Sequence, residues 1–244
     1  MHYFDTAAYI ANLSRTTDRP LHYGNARSAM DVGEWQIALR HALREKLGLS
    51  RIGRQPLDLA PVLLERVEME TYTREKWLID TEPGVQIPFY LLLPRGAHGP
   101  RPLVIAPHGH GPRGKETYVG NYASDEERRS GEEGERDIAV QAVMEGYAVI
   151  APDVRGFWEM ACKEDLEPPL NRDYSCAHLQ RIALMYGRTL IGERVHDMGR
   201  LIDYAQTRTE IDAGRIVMTG NSGGGTVTLF AAALDSRISM AIPG

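Results

Sequence analysis

Cysteine is scarce in this chain, with only Cys162 and Cys176 in 244 residues. That excludes a disulfide-stapled scaffold and suits a reducing compartment, although a single Cys162–Cys176 bridge stays open. No stretch reaches the ~20 apolar residues that span a bilayer, and the amino terminus, MHYFDTAAYIANLSRTTDRP, lacks a basic segment followed by an unbroken apolar run. A cytoplasmic protein with no membrane partner is expected. There is also no basic block: 28 Lys and Arg face 33 Asp and Glu, a formal charge of −5 spread along the chain, so a nucleic-acid partner is not expected. What remains is 43% hydrophobic and 25% charged, the composition of an ordinary globular protein able to bury its own core.

Residues 1–64 carry scattered helical signals, the clearest being Asp31 as a helix cap before Val32, Trp35, Ile37, Ala38 and Leu43. They read as an N-terminal helical appendage. From Arg66 two β-rich runs, VEMETYTREKWLID and VQIPFYLLLP, flank the turn signal Glu82-Pro83-Gly84 and suggest an antiparallel pair. Short apolar strands then alternate with amphipathic helices: strands at 103–106, 148–152, 216–219 and 238–242, and helices at about 136–145, 178–206 and 225–234. The expected fold class is α/β, a mostly parallel sheet covered by helices on both faces, in a core spanning 65–244. On the 178–206 helix Ile191, Val195, Met198, Ile202 and Ala205 form one face, and Glu193, Asp197, Arg200 and Asp203 read as a solvated surface. The long connections 111–134 and 156–177 both follow the C-terminal end of a parallel strand, the edge where such sheets bind ligands. Their Arg128, Arg129, Trp158 and Tyr174 are either substrate contacts or solvated loop residues.

The strongest chemical signal is Gly220-Asn221-Ser222-Gly223-Gly224, a G-x-S-x-G sequence between an apolar strand and an apolar helix. The pattern alone is weak, and its context discriminates. A nucleophile elbow needs Ser222 on a sharp strand-to-helix turn, with Gly220 and Gly224 where a Cβ would strike neighbouring backbone. The alternatives are a close-packing turn or a phosphate cradle, and the Lys that a phosphate loop requires is missing: Thr226, Val227 and Thr228 follow Gly225. Pro107-His108-Gly109-His110-Gly111 ends an earlier strand, where a loop amide from His110 would join that of Gly223 in an oxyanion hole. Two imidazoles one residue apart can share a metal, but no carboxylate or cysteine stands at a partnering spacing, so neither metal nor cofactor is expected.

The elbow, the His-Gly-x-Gly loop and Asp153-Val154-Arg155-Gly156 together resemble the α/β-hydrolase fold, in its dienelactone hydrolase and acetyl-xylan-esterase-like branch. The resemblance covers about 66–244. It implies that Ser222 is the nucleophile of a carboxylic-ester hydrolase, that the His110 and Gly223 amides form the oxyanion hole, and that His108, Asp153 and Arg155 brace the rim of the site. The implied substrate is a small-molecule ester with a short acyl or acetyl group, such as that of a carbohydrate; lactone and peptide substrates stay open, as does oligomeric state.

The chain also departs from the family. The triad order there is Ser, then Asp or Glu, then His, yet Asp235 is the only acidic residue after Ser222 and no histidine follows it. Asp235, at the end of the helix leaving the elbow, is a poor triad acid. His178 and His196 read as packing or surface residues, and His108 would need an unusual geometry to act as base. Two expectations therefore compete: a fragment whose acid and histidine lie beyond Gly244, nearly inert alone, or a non-catalytic binding protein on the same fold.

Overall fold

The computed structural model describes residues 4–53, 56–96, 99–111, 113–170 and 172–244. The chain divides into two compact units, Met1–Leu43 and Arg44–Gly244. In the first, helix α1 (Thr6–Thr16) starts at Asp5, whose carboxylate accepts the amides of Ala7 and Ala8. Helix α2 (Ala29–Lys46) begins one turn before the cap expected at Asp31. Ser28 is its cap: Ser28 Oγ accepts the Asp31 amide at 3.2 Å while the Asp31 carboxylate accepts that of Ser28 at 3.1 Å, a reciprocal capping box. Trp35 closes the unit by donating to Leu21 O at 2.8 Å and meeting Tyr23 edge-on.

The second unit is built on a sheet that has seven strands among the described residues. Residues 44–64 belong to it: Leu47 and Ile52 are buried, and β1 (Val62–Glu68) already forms the sheet edge. The run that read as one strand from Arg66 turns at 69–71 into β2 (Tyr72–Glu82), which pairs with β3 (Val85–Pro94) across a bend where Gly84 takes φ +79°. After β4 (Arg101–Ile105) come helices α3 (Lys115–Tyr118), α4 (Asp125–Glu133) and α5 (Ile138–Met144), then β5 (Ala148–Pro152) and the short helix α6 (Lys163–Leu166).

The long helix expected over 178–206 is two helices, α7 (Cys176–Met185) and α8 (Leu190–Gln206). Gly187 at φ +68° ends the first, and Thr189 caps the second by accepting the Gly192 amide, a local stop that side-chain periodicity does not register. β6 (Ile211–Gly220), α9 (Gly223–Leu234) and β7 (Ile238–Pro243) complete the order.

The strands lie in the order β1-β2-β3-β5-β4-β6-β7. β1, β2 and β3 pair antiparallel in turn and β3 pairs antiparallel with β5, while β5, β4, β6 and β7 are mutually parallel. The parallel strands are continuously apolar because both faces are covered: Tyr90, Leu92, Val104, Ala106 and Val149 pack with Tyr118, Val119, Ala139 and Val143 from α3 to α5. On the other face Phe89 meets Tyr204 of α8 edge-on, with centroids 5.0 Å apart. β7 is the exception, with Met240 and Ile242 more than half exposed. The chain leaves β4 to one side to form β5 and returns to the other to form β6. The C-terminal end of β4 is thus a topological switch point, where the turns after β5, β4 and β6 converge.

Candidate active site

Ser222 sits in the turn between β6 and α9 with φ 55° and ψ −115°, a conformation that costs a non-glycine residue about 1–3 kcal/mol and persists only where its surroundings enforce it. The surroundings are visible. A Cβ on Gly220 would lie 2.4 Å from Pro107 O, one on Gly224 would lie 2.0 Å from the same oxygen, and one on Gly109 would lie 2.4 Å from Asn221 O. The β4 loop and the β6 turn therefore touch backbone to backbone, and only glycine allows it. The Ser222 and Gly224 amides are bound to Gly244 O and Asn221 O, and the Asn221 amide donates to the Tyr118 hydroxyl at 3.3 Å.

This clamp leaves the Ser222 side chain exposed beside a cavity of about 310 Å³ lined by His108, His110, Tyr118, Ile138, Arg136 and Asn221, among others. No acceptor among the described residues takes the amide of His110 or of Gly223. The latter opens α9, where unpaired amides and the helix dipole favour negative charge. The His110 ring is packed edge-on against Phe157 (4.9 Å) and Tyr174 (5.1 Å), so the 156–177 connection supplies one wall of the site. Trp158 lies under the Arg113 guanidinium instead, and Arg129 lines a separate surface hollow with Glu126 and Glu133.

The His108 ring lines the same cavity but has its partners in the turns after β4 and β5. Its Nδ1 is 2.8 Å from Gly109 O; its Nε2 accepts the Val154 amide at 3.2 Å and stands 3.3 Å from Asp153 Oδ1. The ring thus ties the turn after β4 to the turn after β5. Asp153, fully buried, accepts the Lys115 amide on Oδ1 and the Lys115 ammonium on Oδ2 at 2.7 Å. Lys115 is fully buried too and also contacts Glu159. Burial alone would raise the Asp153 pKa, but the charge and hydrogen bond of Lys115 outweigh it and hold the carboxyl below its ordinary value. Burial likewise disfavours the Lys115 cation, yet Asp153 and Glu159 keep its pKa raised.

Asp153 and Arg155 do not satisfy each other, as a self-contained Asp-x-Arg-Gly turn would. Both are buried, and neither lines the cavity. Arg155 makes a two-pronged contact with Asp197 (2.7 Å on each arm) and meets Glu82 at 2.8 Å and Glu193 at 3.5 Å. This overturns the solvated reading of the α8 charges. Asp197 is 1% exposed, Glu193 binds Arg155 and Arg188, and Arg200 donates to Leu57 O at 2.6 Å. The charges alternate with the apolar face at helical spacing because α8 is covered on more than one side, which periodicity cannot distinguish from solvent.

Asp235 is held by Arg237 at 2.7 Å; burial and that guanidinium act in opposite directions, and the guanidinium prevails to lower its pKa. His196 bonds Thr81 O at 2.8 Å, and His178 stands 3.0 Å from Asp165. Among the described residues no imidazole is hydrogen-bonded to Ser222. Sequence reasoning missed Lys115 and Tyr118, which lie in a four-residue helix with no periodic signal, and gave Arg136 no role beyond the start of the helix expected at 136–145.

A model of the Abhydrolase family matches residues 2–242. The chain belongs to this family. Its α/β-hydrolase fold recurs in BF1801 of Bacteroides fragilis NCTC 9343, provisionally named an acetyl xylan esterase, with TM-score 0.78 and 23% identity over 98% of this chain and 60% of that one. It recurs also in a glucuronoyl esterase from Solibacter usitatus, with TM-score 0.60 and 17% identity over 89% of this chain and 59% of that one. By sequence the chain is 27% identical over 197 residues to YtaP of Bacillus subtilis (strain 168), provisionally named a hydrolase, a span of 78% of this chain and 57% of YtaP. The chain thus spans about three fifths of the length of these relatives. Among the described residues no helix is long and apolar enough to cross a membrane.

Proposed function

We propose that this abhydrolase is a serine hydrolase of carboxylic esters. The observation that carries the reading is the strained, exposed Ser222 at the cavity's edge, with the His110 and Gly223 amides unclaimed beside it. Ser222 Oγ attacks the ester carbonyl, its proton passes to a base, and the carbonyl oxygen becomes an oxyanion facing the two amides. Collapse expels the alcohol, which takes the proton. Water then cleaves the acyl-enzyme, releasing the acid and restoring the Ser222 hydroxyl. A short acyl ester of a carbohydrate is the preferred substrate class, supported by the names of the acetyl xylan and glucuronoyl esterases that share the fold.

The reading requires a histidine base, and none of the histidines described in Arg44–Gly244 is hydrogen-bonded to Ser222. Both nitrogens of His108 are engaged in the β4 and β5 turns, the His110 ring is packed on Phe157 and Tyr174, and His178 and His196 have partners elsewhere. The same facts support a second reading, a binding protein that keeps the cavity without the chemistry. The test is labelling by a fluorophosphonate probe, on this chain and on the protein as isolated from its natural source. Strong labelling of Ser222 in the natural protein and weak labelling of the 244 residues alone is expected; a folded natural protein that never labels sinks the hydrolase and leaves the binding protein.

A further inference from the structure

The connection between β5 and α7 folds back on itself. Phe157 and Tyr174 bridge antiparallel, the Ser175 amide donates to Gly156 O at 2.8 Å, and the Cys162 amide donates to Ser175 Oγ at 2.8 Å. That closure gathers three donor groups: Cys162 just before α6, Asp165 within it, and His178 in the first turn of α7. The cysteine sulfur, a carboxylate oxygen and a ring nitrogen all lie within 4.8 Å of one another. Cys162 is a free thiol, and the Asp165 carboxylate is only 1% exposed.

We propose that Cys162, Asp165 and His178 form a zinc site. Sulfur, nitrogen and carboxylate donors together are the ligand set of zinc, whereas calcium and magnesium take oxygen alone. Asp165 Oδ2 and His178 Nδ1 stand 3.0 Å apart. Two ligands at about 2.0–2.1 Å from a tetrahedral centre are roughly 3.3 Å apart, so that edge is nearly in place. Cys162 closes the remaining gap by a side-chain rotation within the connection.

Arg172 donates to the other oxygen, Asp165 Oδ1, at 2.9 Å and so fixes the plane of the carboxylate with Oδ2 turned to the metal. The ligands also supply the charge the ion needs, while the Arg172 guanidinium, about half exposed, keeps its own charge in contact with solvent. The Cys162 thiol releases its proton to solvent, the imidazole keeps its proton on Nε2, and the thiolate and carboxylate offset the two positive charges, with water in the fourth position. Nothing in this set touches Ser222. The consequence is structural: the metal locks the hairpin-like connection whose Phe157 and Tyr174 pack on His110.

The test is titration of metal-free protein with Zn²⁺, and with Co²⁺ as a spectroscopic substitute. One equivalent should bind, with a thiolate-to-cobalt charge-transfer band and a rise in thermal midpoint of several degrees. C162S should abolish the band, and H178A, at a side chain 38% exposed and so tolerant of truncation, should weaken Zn²⁺ binding roughly tenfold or more. C176S should bind normally. Absence of a stoichiometric site in the folded wild-type chain, or a cobalt–thiolate band that persists in C162S or vanishes in C176S, would overturn the proposal. Because the readout is metal binding, its failure is separate from any failure of the hydrolase reading.

Discussion

On one side of β4, the turn carrying Ser222 is held by bare backbone: Gly109, Gly220 and Gly224 let Pro107 and Asn221 carbonyls press within distances that no side chain tolerates. On the other side, the turn after β5 is held by buried charge, with Asp153 between Lys115 and His108 and Arg155 between Asp197 and Glu82. Both place groups at the same sheet edge. The difference lies in what each can lose. A backbone clamp fails when an atom is added, whereas an ion network fails when one partner is removed and another charge is stranded without water.

The largest effect belongs to the serine itself. S222A should lower ester hydrolysis by the natural protein roughly 10⁴-fold or more, read as kcat/KM, with the fold intact by circular dichroism. S222G would be equally inactive yet more stable than S222A by about 1 kcal/mol or more in urea unfolding, because glycine accepts φ 55° without strain. Equal stability of the two would mean that the turn stores no strain.

Next come the two ways of breaking the comparison. K115M leaves the Asp153 carboxylate buried with no cation beside it, held only by the residue 115 amide and next to His108, and should cost about 3–5 kcal/mol. G224A forces a Cβ against Pro107 O and should cost about 1–3 kcal/mol, and it should slow labelling of Ser222 more than K115M does, since the elbow itself must move. If K115M proved the milder in stability, the charge network would be ornament around a site held by backbone alone.

The pH dependence sharpens the same contrast. The Asp153 pKa is lowered on folding, so its contribution is present above about pH 3.9, the unfolded carboxyl value, and is lost as pH falls through the folded value. The Lys115 pKa is raised, so its contribution is complete below about pH 10.4 and is lost as pH rises through the folded value. The stability gap between wild type and K115M in urea unfolding should therefore be full near neutral pH and narrow as pH falls through the folded Asp153 value, and a gap that does not change with pH would separate Asp153 from Lys115. The smallest effect is the control: R128A removes an ion pair whose partners are 58% and 91% exposed, and it should change stability by no more than about 0.5 kcal/mol.

Much of the frame is legible in the residues. The strands at Ala148–Pro152 and Ile238–Pro243, the antiparallel β2–β3 pair and the helix after the elbow follow from apolar runs and turn residues that act over a few positions. The sharp turn at Ser222 is legible in part, since Gly220 and Gly224 stand in the motif, while Pro107, which they meet, and Gly109 come from the β4 loop. The ion network is not legible. Glu82, Lys115, Asp153, Arg155 and Asp197 come from five places in the chain, and a charged residue with a buried partner looks in sequence like one facing water. The α7–α8 break escaped for a related reason: a positive φ at Gly187 is a backbone event inside an otherwise periodic segment.

The scarcity of cysteine shows where this boundary runs. From sequence, Cys162 and Cys176 mean only that no disulfide framework carries the fold, because two thiols at that spacing match no ligand pattern. Tertiary structure set Cys162 beside Asp165 and His178 by closing the chain between Gly156 and Ser175. Local sequence determines strands and turns, whose causes lie within a few residues, whereas the strain on Ser222 is held by the distant β4 loop against which its glycines pack. Which charges are paired, and which thiol has donors around it, is decided only when distant segments meet at the end of β4 and in the loop beside it.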